Sequence, residues 1–190
     1  MGDICTGKSP STLILTEHPP TYTLGTSASN HDVLTRTIQG ETIAVYPTGR
    51  GGEVTYHGPG QLVCYALINI EKEKDLHRHV HRLEELMIRT LADFALQGER
   101  NARGIGVWIG DLKIAAVGVR CRKWVTFHGV ALNIAPNLQH FKGIVPCGMR
   151  DAPVTSMSQE GVEIDRQTVE NRVIFHAETL FTASKEGTYL

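Results

Sequence analysis

The sequence predicts a single α+β domain with a mainly antiparallel sheet. Three observations carry this. Short runs rich in β-branched and aromatic residues recur along the chain, two segments switch to a helical apolar period, and no repeat, low-complexity stretch or linker divides the 190 residues. A chain of this length can bury one sizeable core, so residues 1–190 are read as one domain, with a polar and flexible stretch over 1–10.

The elements follow in order. Thr12 to Leu15 reads as a strand stopped by His18-Pro19-Pro20, and Tyr22 to Leu24 as a short extended piece ending at Gly25. Thr42 to Tyr46, Val54 to Tyr56 and the apolar run Leu62 to Ile70 are further strands. From Asp75 to Gln97 apolar residues recur at Val80, Leu83, Met87, Leu91 and Phe94, one helical face, with Asp75 as cap and Gly98 as stop. Ile105 to Ile109 and Lys113 to Val119 form a hairpin around Gly110-Asp111, and Val125 to Ile134 is another strand. A second helix runs from Asp165 to Phe181, with Val169, Val173, Ile174 and Leu180 inward.

Composition is ordinary for a globular protein, 41% hydrophobic and 21% charged, with a net charge of −1. There is no basic footprint for nucleic acid and no apolar run of membrane-spanning length. The N-terminus lacks a signal-peptide core, although Met1-Gly2 with Thr6 meets the short myristoylation pattern, which chance often meets. None of the four cysteines forms a CxxC pair, so the expectation is reduced thiols in the cytoplasm.

Cys64 and Cys121 sit in apolar strands and read as packing, and Cys5 lies in the polar terminus. Cys147 differs, because Pro146 and Gly148 flank it where a strand ends. Local sequence leaves both a nucleophile and an ordinary turn open. A nucleophilic thiol needs a proton acceptor. His57, His128 and His140 are candidates, and Lys113 is the only charge in an apolar hairpin strand. On the bare residues a lysine pointing to water is the simpler reading of Lys113. The segment GRGGEVTYHGPGQ places Arg50 and His57 among five glycines. It is neither a P-loop nor a dinucleotide fingerprint, and it reads as a binding loop whose amides hold a carbonyl or carboxylate. His77, His79 and His81 offer metal-like spacing but lack HExxH or a suitable carboxylate. They read as a solvated helix face, and no metal or cofactor is expected.

Taken together, EHPPTYTLG, GRGGEVTYHGPGQLVCY, KIAAVGVR, TFHGVALNI and IVPCGM, in that order, resemble the lipoyl(octanoyl) transferases from Leu13 to about Leu180. The resemblance implies the biotin/lipoate protein ligase-like fold, a central mixed β-sheet flanked by helices. It implies transfer of octanoyl from octanoyl-acyl carrier protein, through a cysteine thioester, to a lysine of lipoyl domains of 2-oxoacid dehydrogenases or of glycine cleavage H protein; a monomer is expected. Carried across, Cys147 is the nucleophile and Lys113 the acid–base, which reverses the bare reading of Lys113. The substrate would be lined by Arg50, Gly51, Gly52, Glu53, Val54, Thr55, Tyr56 and His57, by Ala116, Val117 and Gly118, and by His128, Gly129, Val130 and Ala131. Small residues there leave room for an acyl tail. Members of that family usually open with a strand and a helix before the EHPP block, whereas a short polar piece precedes Ser11 here. Two other readings are an ATP-dependent lipoate or biotin ligase of the same fold, and a non-catalytic module that binds acyl chains or lipoyl domains. The pairing of Cys147 with Lys113 argues against both.

Overall fold

The computed structural model describes residue 4, residues 9–145 and residues 153–182. Its larger sheet holds β1 (Thr12–Thr16), β7 (Gln61–Leu67), β8 (Glu99–Asn101), β9 (Gly104–Ile109), β10 (Leu112–Arg122) and β11 (Val125–Asn133). The spatial order is β1-β7-β11-β10-β9-β8, and each neighbouring pair is antiparallel. A smaller sheet orders β5 (Ala44–Pro47), β2 (Thr21–Leu24) and β6 (Val54–His57), with β2–β5 parallel and β2–β6 antiparallel. Parallel pairing recurs at an isolated bridge between Lys113 and Val154. A two-stranded ribbon, β3 (Thr37–Ile38) with β4 (Glu41–Thr42), completes the named strands.

Helix α1 (Leu76–Ala92) begins where predicted, since the Asp75 carboxylate accepts from Arg78 N at 2.9 Å. It stops at Ala92 rather than near Gly98. Ala95 takes a positive φ of 59° and Leu96 N donates back to Leu91 O, a left-handed closure of the last turn. The carboxylate of Asp93 is held there by Arg172 and His176 of helix α2 (Arg166–Thr182). On α2 the inward stripe is Val169, Val173 and Ala177. Ile174, expected inside, is 47% exposed, because it lies about 100° round the helix from Val173.

Strand alternation divides the larger sheet into two faces. Leu62, Cys64, Ala66, Val130 and Leu132 face the helices and pack with Leu83, Leu86, Met87, Leu91, Val169 and Val173. Truncating one such leucine to alanine costs about 2–5 kcal/mol. Cys64 belongs to this core, and burial pushes its thiol up to about 12. Cys121 packs at its margin, whereas Cys5 lies outside the described residues. A second core joins Tyr22, Tyr56, Phe141 and Ile144 under the smaller sheet. No helix among the described residues is long and apolar enough to cross a membrane.

The histidines of α1 do not share one environment. His77 and His81 are exposed, but His79 is fully buried. The expected solvated face is therefore corrected at His79, which points between the helices toward Phe181, 6.0 Å away between ring centroids.

Candidate active site

A cavity of about 670 Å³ opens over the face of the larger sheet opposite the helices and continues to the start of α1. The register of β10 explains where it forms. Pairing with β9 ends at Ala115, so the strand from Ala116 onward has no β9 partner beside the cavity. Facing side chains there are small: Ala116 pairs with Ala131 and Gly118 with Gly129.

The glycine loop forms one wall. Arg50 is buried and fixes the loop rather than reaching outward: Nε and Nη2 donate to Thr23 Oγ1, Nη2 to Thr23 O at 2.6 Å, and Nη1 to Gly51 O. Gly51 N donates to Val119 O at 2.9 Å and ties the loop to β10. Such close docking requires Gly118, whose absent Cβ would lie 3.0 Å from Arg50 Cδ and 3.3 Å from Gly51 O. Gly52 has a positive φ of 85°, so its backbone conformation is what demands glycine.

Of the expected substrate-lining residues, residues 50–55, His57, residues 116–118 and residues 128–131 line the cavity. Tyr56 does not. Alternation along β6 turns it into the second core, where His140 Nδ1 lies 2.8 Å from its hydroxyl. His140 is committed to that core as well, with its carbonyl accepting from Tyr22 Oη.

His57 Nδ1 lies 2.7 Å from Gln61 Oε1. Gln61 Nε2 is directed to Tyr56 O and Asn133 Oδ1, and Asn133 Nδ2 donates to Thr155 O. This chain fixes the Gln61 amide with its oxygen toward His57, so Nδ1 carries the proton and Nε2 the lone pair. Burial lowers the His57 pKa to about 4, against the Gln61 hydrogen bond and helped by the Arg50 charge. His128 is lowered too, by burial first and then by Arg50 and Arg120.

Lys113 also reaches the cavity. Its Nζ donates to Ile105 O at 3.0 Å and sits 4.7 Å from the centroid of the Trp108 ring. Its backbone pairs with the chain that follows the PCG block: Lys113 N donates to Pro153 O at 2.9 Å, and Thr155 N donates to Lys113 O at 3.0 Å. Cys147 itself lies outside the described residues.

Sequence reasoning did not single out Gln61, Asn133, Glu84 or Gly106, all of which bear on the positions of His57 and Lys113. A signal existed for Glu84, which stands four residues after Val80 and so on the apolar stripe of α1.

The lipoyl protein ligase A/B catalytic domain matches residues 3–178. An octanoyltransferase of Magnetococcus marinus is 48% identical over 178 residues, covering 93% of this chain and 82% of that one. An octanoyltransferase of Rhodospirillum rubrum is 46% identical over 173 residues, 88% of this chain and 78% of its own. Among solved structures, the bi-partite lipoate protein ligase of Thermoplasma acidophilum superposes with a TM-score of 0.72 at 16% identity, covering 92% of this chain and 72% of that one. Biotin protein ligase from Aquifex aeolicus gives 0.60 at 16% identity, over 88% of this chain and 72% of that one. These two likenesses concern the fold alone. The chain belongs to the lipoyl protein ligase A/B catalytic domain family and, within it, to the octanoyltransferases, enzymes of acyl transfer.

Proposed function

We propose that the chain acts as a single catalytic domain, a cytoplasmic monomer, that moves octanoyl from octanoyl-acyl carrier protein to a lysine of lipoyl domains or of glycine cleavage H protein through a thioester on Cys147. The observation that carries this reading is the placement of Lys113. Its side chain lines a small-residue cavity, and its backbone is hydrogen-bonded to Pro153 and Thr155, on the stretch that follows the segment bearing Cys147.

The chemistry follows from these groups. Cys147 Sγ attacks the thioester carbonyl, so a new S–C bond forms and the bond to the phosphopantetheine sulfur breaks. Lys113 takes the Cys147 proton and delivers it to the departing thiolate. In the second half the acceptor amine attacks the same carbonyl, the C–S bond to Cys147 breaks, and the amine proton passes through Lys113 to Cys147 Sγ. Both halves exchange groups at thioester energy or below, so no nucleotide is consumed. His57, neutral with its Nε2 lone pair available, is suited to accept a hydrogen bond from the incoming amine.

The test is intact mass after mixing with octanoyl-acyl carrier protein, without ATP. An octanoyl adduct forms on the wild type and transfers to a lipoyl domain. Cys147→Ala abolishes both, and Lys113→Arg fails despite keeping its charge, because arginine does not release a proton near neutral pH. A strict requirement for ATP would assign the chain to ligase chemistry instead, and an adduct that never turns over would make it a binding module.

A further inference from the structure

Glu84 is a carboxylate on α1 with only 4% of its surface exposed. Its Oε1 accepts from Gly106 N at 3.0 Å, and its Oε2 accepts from Arg100 Nε at 3.0 Å. The N–H of Gly106 and the C=O of Ile105 belong to one peptide group, and that carbonyl accepts from Lys113 Nζ at 3.0 Å. A buried carboxylate and the lysine ammonium thus bind opposite ends of a single peptide dipole.

We infer that Glu84 is a positioning residue for Lys113, acting through the Ile105–Gly106 peptide. The inference rests on the reading of Lys113 as the proton carrier. A planar peptide with its N–H anchored cannot rotate its C=O away from Nζ. The negative charge also polarises the amide along the line that ends at the lysine, and linked hydrogen bonds in a low dielectric reinforce one another. The site is built for close approach. Gly106 has a φ of +135°, and a Cβ there would lie 2.6 Å from Ala115 O and 3.2 Å from Lys113 Cε. Glu84 does not act alone electrostatically. Arg100 binds both Glu84 and Glu85, and His81 lies 3.7 Å from Glu84. On the side of Lys113, the cavity wall carries Glu53, Arg50, His57, His77 and His128, and the Trp108 ring covers the ammonium.

A purely structural bond predicts only a change in stability. The charge relay predicts opposite effects on proton transfer from two neighbouring substitutions. In Glu84→Gln the amide oxygen still accepts from Gly106 N–H, but the charge is gone. In Arg100→Ala the carboxylate remains and loses its countercharge. The readout is the pH dependence of acyl-adduct formation from octanoyl-acyl carrier protein, followed by intact mass. The limb set by Lys113 moves to lower pH in Glu84→Gln and to higher pH in Arg100→Ala. Each shift is about half a unit, roughly a threefold change in the protonation ratio. Unchanged profiles, or shifts in the same direction, overturn the inference while leaving the acyl-enzyme reading intact. Absence of any adduct on the wild type removes both. Arg100 is 37% exposed at its side chain, so Arg100→Ala decides the matter alone if Glu84→Gln does not fold.

Discussion

His57 Nδ1 and Gln61 Oε1 are 2.7 Å apart, and the Gln61 amide is locked by Asn133 and the Tyr56 carbonyl. The histidine is thereby held as the Nδ1–H tautomer and kept neutral by burial, with its pKa near 4. Ring nitrogen shifts in a labelled protein should report that tautomer from pH 8 down to about 5. Gln61→Glu places a carboxylate against Nδ1–H, which favours the imidazolium and raises the titration by about 1–3 units. Transfer to the acceptor amine should then fall at pH 6 and recover at pH 8. A wild-type ring that titrates above pH 6 would contradict its burial, and one that carries its proton on Nε2 would contradict the hydrogen-bond assignment.

Gly106 offers a way to move Lys113 without changing it. Gly104→Ala and Gly106→Ala both force alanine into glycine-only backbone regions, at φ +140° and +135°, with strain of roughly 1–3 kcal/mol each. Only at Gly106 does the new Cβ meet Ala115 O and the Lys113 stem; at Gly104 nothing lies within 4 Å. Melting temperatures should therefore fall in both variants, and further in Gly106→Ala, where the Cβ also meets a backbone carbonyl. Adduct formation should drop about 100-fold in Gly106→Ala alone, the scale expected for a misplaced catalytic group. Equal activity in both would separate the Lys113 position from the chemistry.

Much of this arrangement was legible in the chain, for identifiable reasons. The Val80-Leu83-Met87-Leu91 spacing marked α1, and the Gly110-Asp111 hairpin placed Lys113 on β10, because both signals are local. The loop from Arg50 to His57 announced itself by glycine density. What local pattern could not convey was which side of a strand a residue takes once two sheets meet. Tyr56 and His57 are neighbours, yet one enters the second core and the other the cavity. His79 was hidden for the related reason that α2 covers a face of α1 that its own sequence marks as polar. The turn at Lys123-Trp124 carries two positive φ angles without glycine, 51° and 58°. There β10 continues three residues beyond the expected Val119, to Arg122, before β11 starts at the expected Val125, and the turn is held by long-range contacts such as Ile70 N to Trp124 O. Glu84 was visible as a residue type, but its meaning depends on a peptide twenty-two positions away.

The acyl tail should be measured by Ala131. It faces its β10 partner Ala116 and lines the cavity with 4% of its own surface exposed. Ala131→Leu adds three carbons to that wall. The variant's preference for octanoyl- over hexanoyl-acyl carrier protein should fall about tenfold relative to the wild type, since two methylenes at ~0.8 kcal/mol each lose their burial. Competition between the two donors, with the adducts weighed together, reads the ratio directly. Unaltered octanoyl preference in a normally folded variant would put the tail against another wall.

His79 gives the fold an acid-sensitive point remote from the chemistry. Its two ring nitrogens have no hydrogen-bond partner among the described residues, and it is fully buried against Phe181. Burial lowers its pKa from 6.5 to about 4, with the Arg82 charge adding in the same direction and Glu73 opposing. In the window between these values the unfolded chain binds the proton and the folded chain does not. The contribution is therefore fully present above pH 6.5 and is lost as the pH falls toward 4. His79→Leu keeps an apolar side chain against Phe181 and removes the titration. Denaturant melts at pH 7.5 and pH 5 should show the gap between the two pH values narrowing in the variant by about 2 kcal/mol, the order expected for a single buried histidine. His57 has a similar depression and remains in the variant as an internal reference, so some acid sensitivity persists. If the wild type and His79→Leu lose the same stability between the two pH values, the buried ring is not the group that the folded state keeps unprotonated.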